Sequence, residues 1–311
     1  MRQRFFKWHK WHGTRKLVAV SPGFYLKAPI ITNMNTHILS IHCPDERGLV
    51  YKITNVIFKY DLNIIRNDEF VEKDFNQFFM RTEFSGEFER EAFVQDLTAL
   101  LPVTAKVKLT SNHKKNIIIM ATKEYHCLSD LLVRHKFEDL HANVLAVISN
   151  HSVLEDLTGK FDIPYYHVDG NEMSREQHEG EVMKIIDQFT PDFIVLAKYM
   201  KILSPSFIAR YPNRIINIHH SFLPAFVGAK PYHKAYERGV KIIGATAHFV
   251  NEDLDEGPII AQSVISVDHA DTAKEMAQAG RDVEKNVLAH SLKLVFNEQV
   301  FVFRNKTIIF D

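Results

Sequence analysis

The chain has 311 residues, of which 46% are apolar and 24% charged, and its 38 Lys plus Arg balance 38 Asp plus Glu. Balanced charge supplies no overall field for nucleic acid or an anionic membrane surface, and no apolar run approaches the roughly 18 residues of a membrane span. The length suits two domains with separate cores, and Cys43 and Cys127 lie far apart in no metal or redox spacing, so a cytoplasmic protein without disulfides is expected.

Residues 1–33 depart from this average. Arg2, Arg4, Lys7, Lys10, Arg15, Lys16 and Lys27 occur there with no acidic residue, beside both tryptophans, Trp8 and Trp11. The segment lacks an apolar h-region and a small-residue cleavage site. It is read as a basic extension, disordered or added by an upstream start codon, with Met34 opening the functional chain.

From Thr36, THILSIHC reads as a strand and PDERGLVYKITNVIFKYDL as a turn and helix, with Leu49, Ile53, Val56, Ile57 and Tyr60 at helical spacing. NIIRNDEFVEKDFNQFFMRTEFSG gives two strands around a polar turn at 73–76. EREAFVQDLTALL gives a second helix, and VTAKVKLT a closing strand. The order βαββαβ predicts a ferredoxin-like unit over 34–110 in which no residue group looks catalytic. The polar stretch SNHKKN (111–116) is the expected linker, and 117–311 the second domain.

Beyond the linker, apolar strands (NIIIMAT, HANVLAVISN, IPYYHV, PDFIVLAKYM, NRIINIHH) alternate with helices (CLSDLLVRHKF, HSVLEDLTGKF, SREQHEGEVMKIIDQF, and SPSFIARYP with Ser204 as cap). The expected fold is a mostly parallel, doubly wound α/β sheet, whose ligands bind beyond the carboxyl ends of its strands. One such end runs into NIHHSFLPAFVGAKPYHKA (217–235), three histidines and an asparagine in a stretch too irregular for a helix. On an extended backbone Asn217 and His219 point to one side and His220 to the other.

Downstream, GATAHFV and GPIIAQSVISV read as paired strands, and the NEDLDEG loop between them offers Glu252, Asp253, Asp255 and Glu256. A carboxylate near an imidazole and an amide suits water attack on a carbonyl: the carboxylate orients the water while the other two stabilise the oxyanion. The competing readings are a strand end satisfying its own backbone groups and a solvated acidic turn. A metal held by His219, His233 or His248 with Asp255 has no HExxH-type spacing behind it, so none is expected. His126 and Cys127, being adjacent, make a poor nucleophile–base pair and are read as first-turn helix residues near the pocket.

The segment NIHHSFLPAFVGAKPYHKAYERGVKIIGATAHFVNEDLDEGPIIAQ resembles the formyltransferase fold of glycinamide ribonucleotide formyltransferase and its relatives. PDERGLVYKITNVIFKYDLNIIRNDEF resembles an ACT regulatory domain, and the combination is similar to the formyltetrahydrofolate deformylase family over Asn35 to Asp311. That resemblance implies hydrolysis of 10-formyltetrahydrofolate to formate and tetrahydrofolate, supplying formate for purine synthesis and balancing the one-carbon pool, with the folate as substrate and no cofactor.

It further implies Asn217, His219 and Asp255 as catalytic residues, and Met200, Lys201, Leu203 and His248 as substrate-binding ones. For the first domain it implies a glycine or methionine effector, with Asp45, Gly48 and Asn67 as ligand candidates, and a homo-oligomer. A glycinamide ribonucleotide formyltransferase needs a glycine-rich loop after its first strand to cradle the acceptor's phosphate. Here that place reads ATKEYHCLSDLL, without glycine, and Glu124, Tyr125 and His126 are expected to crowd it, leaving water as nucleophile. Transfer to another amine and a non-catalytic folate or amino-acid sensor are the alternatives.

Overall fold

A computed structural model describes residues 35–111, 113–224 and 231–311; the basic extension and residues 225–230 of the histidine-rich stretch lie outside the described residues. Residues Asn35–Asp311 pack as one compact unit containing two main sheets.

The small sheet follows β1 (Thr36–Pro44), α1 (Leu49–Lys59), β2 (Asn63–Glu72), a 3₁₀ turn (Lys73–Phe75), β3 (Gln77–Ser85), α2 (Arg90–Leu100) and β4 (Lys106–Ser111). This is the expected βαββαβ order, paired antiparallel as β2-β3-β1-β4. Strand alternation sends Phe78, Met80 and Phe84 of β3 into a core with Leu49, Ile53, Val56 and Ile57 of α1 and Phe93 and Leu97 of α2. Phe79 and Arg81 face the other side. Gly48 opens α1 in the left-handed region (φ 87°), a backbone state that glycine enters without a Cβ clash.

The large sheet follows β5 (Lys115–Ala121), α3 (His126–Lys136), β6 (Ala142–Ser149), a 3₁₀ turn (Ser152–Leu154) running into α4 (Glu155–Gly159), β7 (Tyr165–His167), α5 (Arg175–Ile186), β8 (Phe193–Leu196), α6 (Pro205–Arg210) and β9 (Ile215–His219). It continues through α7 (Pro231–Arg238), β10 (Ile242–Phe249), β11 (Ile259–Ser266) and the long α8 (Ala273–Phe296); a hairpin of β12 (Val300–Phe303) and β13 (Lys306–Ile309) ends the chain. Strand order is β11-β10-β9-β8-β5-β6-β7, parallel from β9 to β7, with β10 and β11 antiparallel at one edge. Residues from α3 and α8 cover one face, and those from α5 and α6 the other, so the β-strand cores are continuously apolar. Ser204 caps α6 as expected, accepting from the Phe207 N–H.

Two expectations change. The 217–235 stretch is not irregular throughout, because its last five residues, from Pro231, lie in α7. The stretch 111–116 is only partly connection, since Ser111 closes β4 while Lys115 and Asn116 already belong to β5.

The sheets meet at the end of α8. Glu298 receives Lys108 at 2.6 Å and the buried Lys115 at 2.7 Å, and Arg81 donates to the carbonyls of Asn297 (3.0 Å) and Glu298 (3.1 Å). Phe301 and Phe303 pack edge-on against Phe79, at 5.6 and 5.5 Å between ring centroids.

Candidate active site

Beyond the carboxyl ends of β8 and β9 lies an open cleft of about 240 Å³. The strand order reverses between β5 and β8, next to this cleft, and open α/β sheets bind ligands near such a point. Its walls are the β8–α6 segment, the end of β9, and the loop between β10 and β11.

Pairing sets the polar groups side by side. Because β10 runs antiparallel to β9, His248 falls opposite Asn217. Asn217 Nδ2 lies 3.2 Å from His248 Nε2, and His248 Nδ1 lies 2.9 Å from the Phe249 carbonyl oxygen. The carbonyl can only accept, so His248 carries its proton on Nδ1 and its Nε2 accepts from the Asn217 amide. Burial holds the His248 pKa below its ordinary value, which keeps that tautomer neutral.

Asp255 comes down from the β10–β11 loop. Its Oδ1 stands 3.2 Å from His219 Nδ1 and 3.8 Å from His248 Nε2. Burial pushes the Asp255 pKa up, but the His219 hydrogen bond and the neighbouring imidazoles outweigh it, so the carboxyl sits below its usual range and is ionised at neutral pH. The loop is tight: Asp255 adopts φ 59°, which short polar side chains tolerate better than most. A Cβ on Gly257 would stand 1.8 Å from the Phe249 carbonyl oxygen, which leaves only glycine able to follow Asp255-Glu256 in this turn.

The cleft thus gathers Asn217, His219, His248 and Asp255 with Met200, Lys201 and Leu203. Leu203 is buried and Met200 exposed, its N–H donating to Thr122 Oγ1 at 3.0 Å. His220 does not turn away as strand alternation predicts. β9 ends at His219, so the alternation stops there, and the His220 ring stacks on His219 at 4.9 Å and lines the cleft as well. His233 lies on α7, exposed and 3.2 Å from Glu237, outside this group.

In the small sheet the three ligand candidates are not brought together. Asp45 and Gly48 share the turn before α1, where the Asp45 N–H donates to the Asn76 carbonyl at 2.9 Å. Asn67 lies in β2 opposite Thr82, five positions from the Glu72–Gln77 pair that closes that end, a separation of about 16 Å along a strand. Its side chain already binds Thr82 (2.6 Å) and Glu69 (2.8 Å).

A second polar cluster has no counterpart in the sequence expectations. His126 and Cys127 are buried in the first turn of α3 and do not line the cleft. His126 Nε2 reaches Glu284 Oε2 of α8 at 2.7 Å, Lys198 Nζ stands 3.1 Å from the same oxygen, and the Tyr232 hydroxyl donates to Oε1 at 2.5 Å. His126, Cys127 and Glu284 lie close enough to share a metal ion. Their chemistry argues against it: Lys198 already neutralises the carboxylate, and burial pushes the Cys127 thiol up, keeping it protonated. Of the side chains expected to crowd the start of α3, Glu124 and Tyr125 stay exposed while His126 turns inside. A signal for this cluster does exist. Glu284 shares the apolar stripe of α8 with Gly280, Val283, Val287, Leu288 and Ser291, and an acid in such a stripe has a buried partner.

Comparison with known proteins agrees with this architecture. The formyl transferase family model matches residues 115–292. A formyltetrahydrofolate deformylase of Haemophilus influenzae is 51% identical over 272 residues, covering 88% of this chain and 98% of that protein. One from Bacillus subtilis is 41% identical over 281 residues, covering 88% and 93%. The crystal structure of a formyltetrahydrofolate deformylase from Pseudomonas syringae superposes with a TM-score of 0.86 at 40% identity, covering 91% of this chain and 96% of that one. A glycinamide ribonucleotide transformylase from Symbiobacterium toebii reaches a TM-score of 0.61 at 27% identity and covers 64% of this chain and 95% of its own. The transformylase likeness thus stops short of the full chain, whereas the deformylase likeness runs through both sheets; the chain belongs to the formyltetrahydrofolate deformylase family.

Proposed function

We propose that this protein hydrolyses 10-formyltetrahydrofolate to formate and tetrahydrofolate, at the cleft beyond β8 and β9. The observation that carries the reading is the ionised Asp255 set 3.2 Å from His219 beside Asn217, in a chain of the deformylase family. Asp255 orients a water and takes up its proton as the water oxygen bonds to the formyl carbon. Asn217, one amide N–H held by His248, has a second N–H for the oxyanion that forms. His219, its Nδ1 facing Asp255, stabilises that oxyanion through Nε2–H or relays the water's proton: Nδ1 takes it from Asp255 as the Nε2 proton passes to the folate nitrogen, the oxyanion re-forms the carbonyl and the carbon–nitrogen bond breaks. The pterin end lies against Met200, Lys201 and Leu203. Water is the nucleophile because no glycine stands between Ala121 and Lys136 to form an acceptor's phosphate cradle. The role is supply of formate for purine synthesis, in the cytoplasm; no described helix is long and apolar enough to cross a membrane.

The proposal extends to the small sheet as an ACT domain (34–110) ahead of the catalytic domain (117–311). It binds glycine or methionine at the Asp45–Gly48 turn in a homo-oligomer. An effector that binds two catalytic states unequally must shift them. Asn67 is the weakest of the three ligand candidates, since its side chain is occupied within β2 and β3.

The test is turnover of 10-formyltetrahydrofolate with no acceptor present, following both products. Formate and tetrahydrofolate in equal amounts are expected. Turnover only when an amine is supplied overturns hydrolysis in favour of transfer, and no turnover under either condition favours a sensor. Equal rates with and without millimolar glycine or methionine would remove the effector part alone.

A further inference from the structure

We propose that Asn305, at the tip of the β12–β13 hairpin, is a positioning residue for Asp255; the proposal rests on the catalytic role just given to that carboxylate. The loop from Val250 to Pro258 closes its own neck and turn, through Phe249 N–H to the Pro258 carbonyl (2.9 Å) and Glu256 N–H to the Asp253 carbonyl (3.2 Å). Glu252, Asp253, Leu254 and Glu256 are exposed, so burial does little to hold the loop against the sheet.

The hairpin supplies the outside hold. Asn305 Nδ2 donates to the Glu256 carbonyl at 2.8 Å, one residue past Asp255, and Thr307 Oγ1 donates to the Ile259 carbonyl at 2.6 Å on the returning strand. Both bonds grip the same limb, the one that Gly257 presses against Phe249. The hairpin itself has a firm footing. The Arg304 guanidinium lies over the Phe75 ring at 4.2 Å, and Phe303 packs on Phe75 at 5.6 Å. Asn305 therefore fixes where the Asp255 carboxylate hangs between His219 and His248, without touching substrate or reacting atoms. Being exposed, it contributes little to the core.

The test is Asn305→Asp, which keeps the size but turns an acceptor toward the Glu256 carbonyl, with Asn305→Gln restoring an amide donor on a longer arm. Asn305→Asp is expected to lower kcat on the order of tenfold with KM and the melting midpoint unmoved, short of the roughly hundredfold that a 1 Å misplacement can cost. Asn305→Gln recovers part of that loss. Amide hydrogen exchange across 251–257, measured without substrate, is expected to speed up in Asn305→Asp. This last reading is independent of turnover: if the wild type proves inactive the function is wrong, yet faster exchange still supports the hold on the loop. Unchanged kcat and unchanged exchange, or a kcat loss matched by a fallen melting midpoint, overturns the proposal.

Discussion

Glu284 and Asp255 both meet buried histidines, and their surroundings set them apart. Glu284 is fully buried with both oxygens engaged, Oε2 by His126 and Lys198 and Oε1 by Tyr232. Asp255 is half-buried at the rim of a cleft, its Oδ1 drawn toward His219 and His248. Both are held ionised against burial. The first has its hydrogen-bonding capacity spent on α3, α7 and the end of β8, so it ties elements together. The second is ionised where a ligand and water can reach it, which is the condition for acid–base work. Lys198 stands between them, lining the cleft while its ammonium faces Glu284. Chemical identity alone does not separate the two carboxylates; the open side does.

Four experiments put that contrast to the test. Asp255→Asn is expected to reduce formate release by about a thousandfold or more while leaving the melting midpoint in place, as checked by calorimetry beside the assay. Asn217→Ala is expected to cost roughly a hundredfold in kcat, through loss of an oxyanion donor, with the substrate dissociation constant little changed. Glu284→Gln should act the other way round. It leaves Lys198 without its buried counter-charge and is expected to destabilise by about 3–5 kcal/mol in denaturant titration, while kcat per folded molecule stays near wild type.

The fourth concerns pH. Burial pushes the Glu284 pKa up, but His126, Lys198 and Tyr232 prevail and hold it down to about 2, against an ordinary 4.5. A group whose pKa is depressed by folding binds more protons unfolded. Its contribution is therefore complete above about 4.5 and is lost as pH falls through about 2. Wild-type stability is expected to decline across that window, and Glu284→Gln to show a flatter decline.

The site beyond β9 is legible in the sequence because its parts lie at strand ends and in a short acidic loop, where core packing gives no reason for such residues. Asn217 and His219 fall two apart on one strand, and Asp255 sits in the loop that returns beside it. The βαββαβ order and the alternation of strands with helices are likewise carried by local hydrophobic period. What escapes is assembled across distance. His126 and Glu284 are 158 positions apart, and only the docking of α3 on α8 brings them together. The bond from Asn305 to Glu256 spans 49 positions and depends on a hairpin whose strands are four residues each. His220 is misjudged for a different reason: β9 ends one residue before it, and element ends are where period-2 reasoning fails.

The most direct test sets Asp255→Asn beside Glu284→Gln, with formate release from 10-formyltetrahydrofolate measured per mole of folded protein at a temperature where both variants are folded. Asp255→Asn is expected to lose hydrolysis with its fold intact, and Glu284→Gln, though easier to unfold, to keep it. Hydrolysis surviving in Asp255→Asn would contradict the assignment of the open cleft as the active centre.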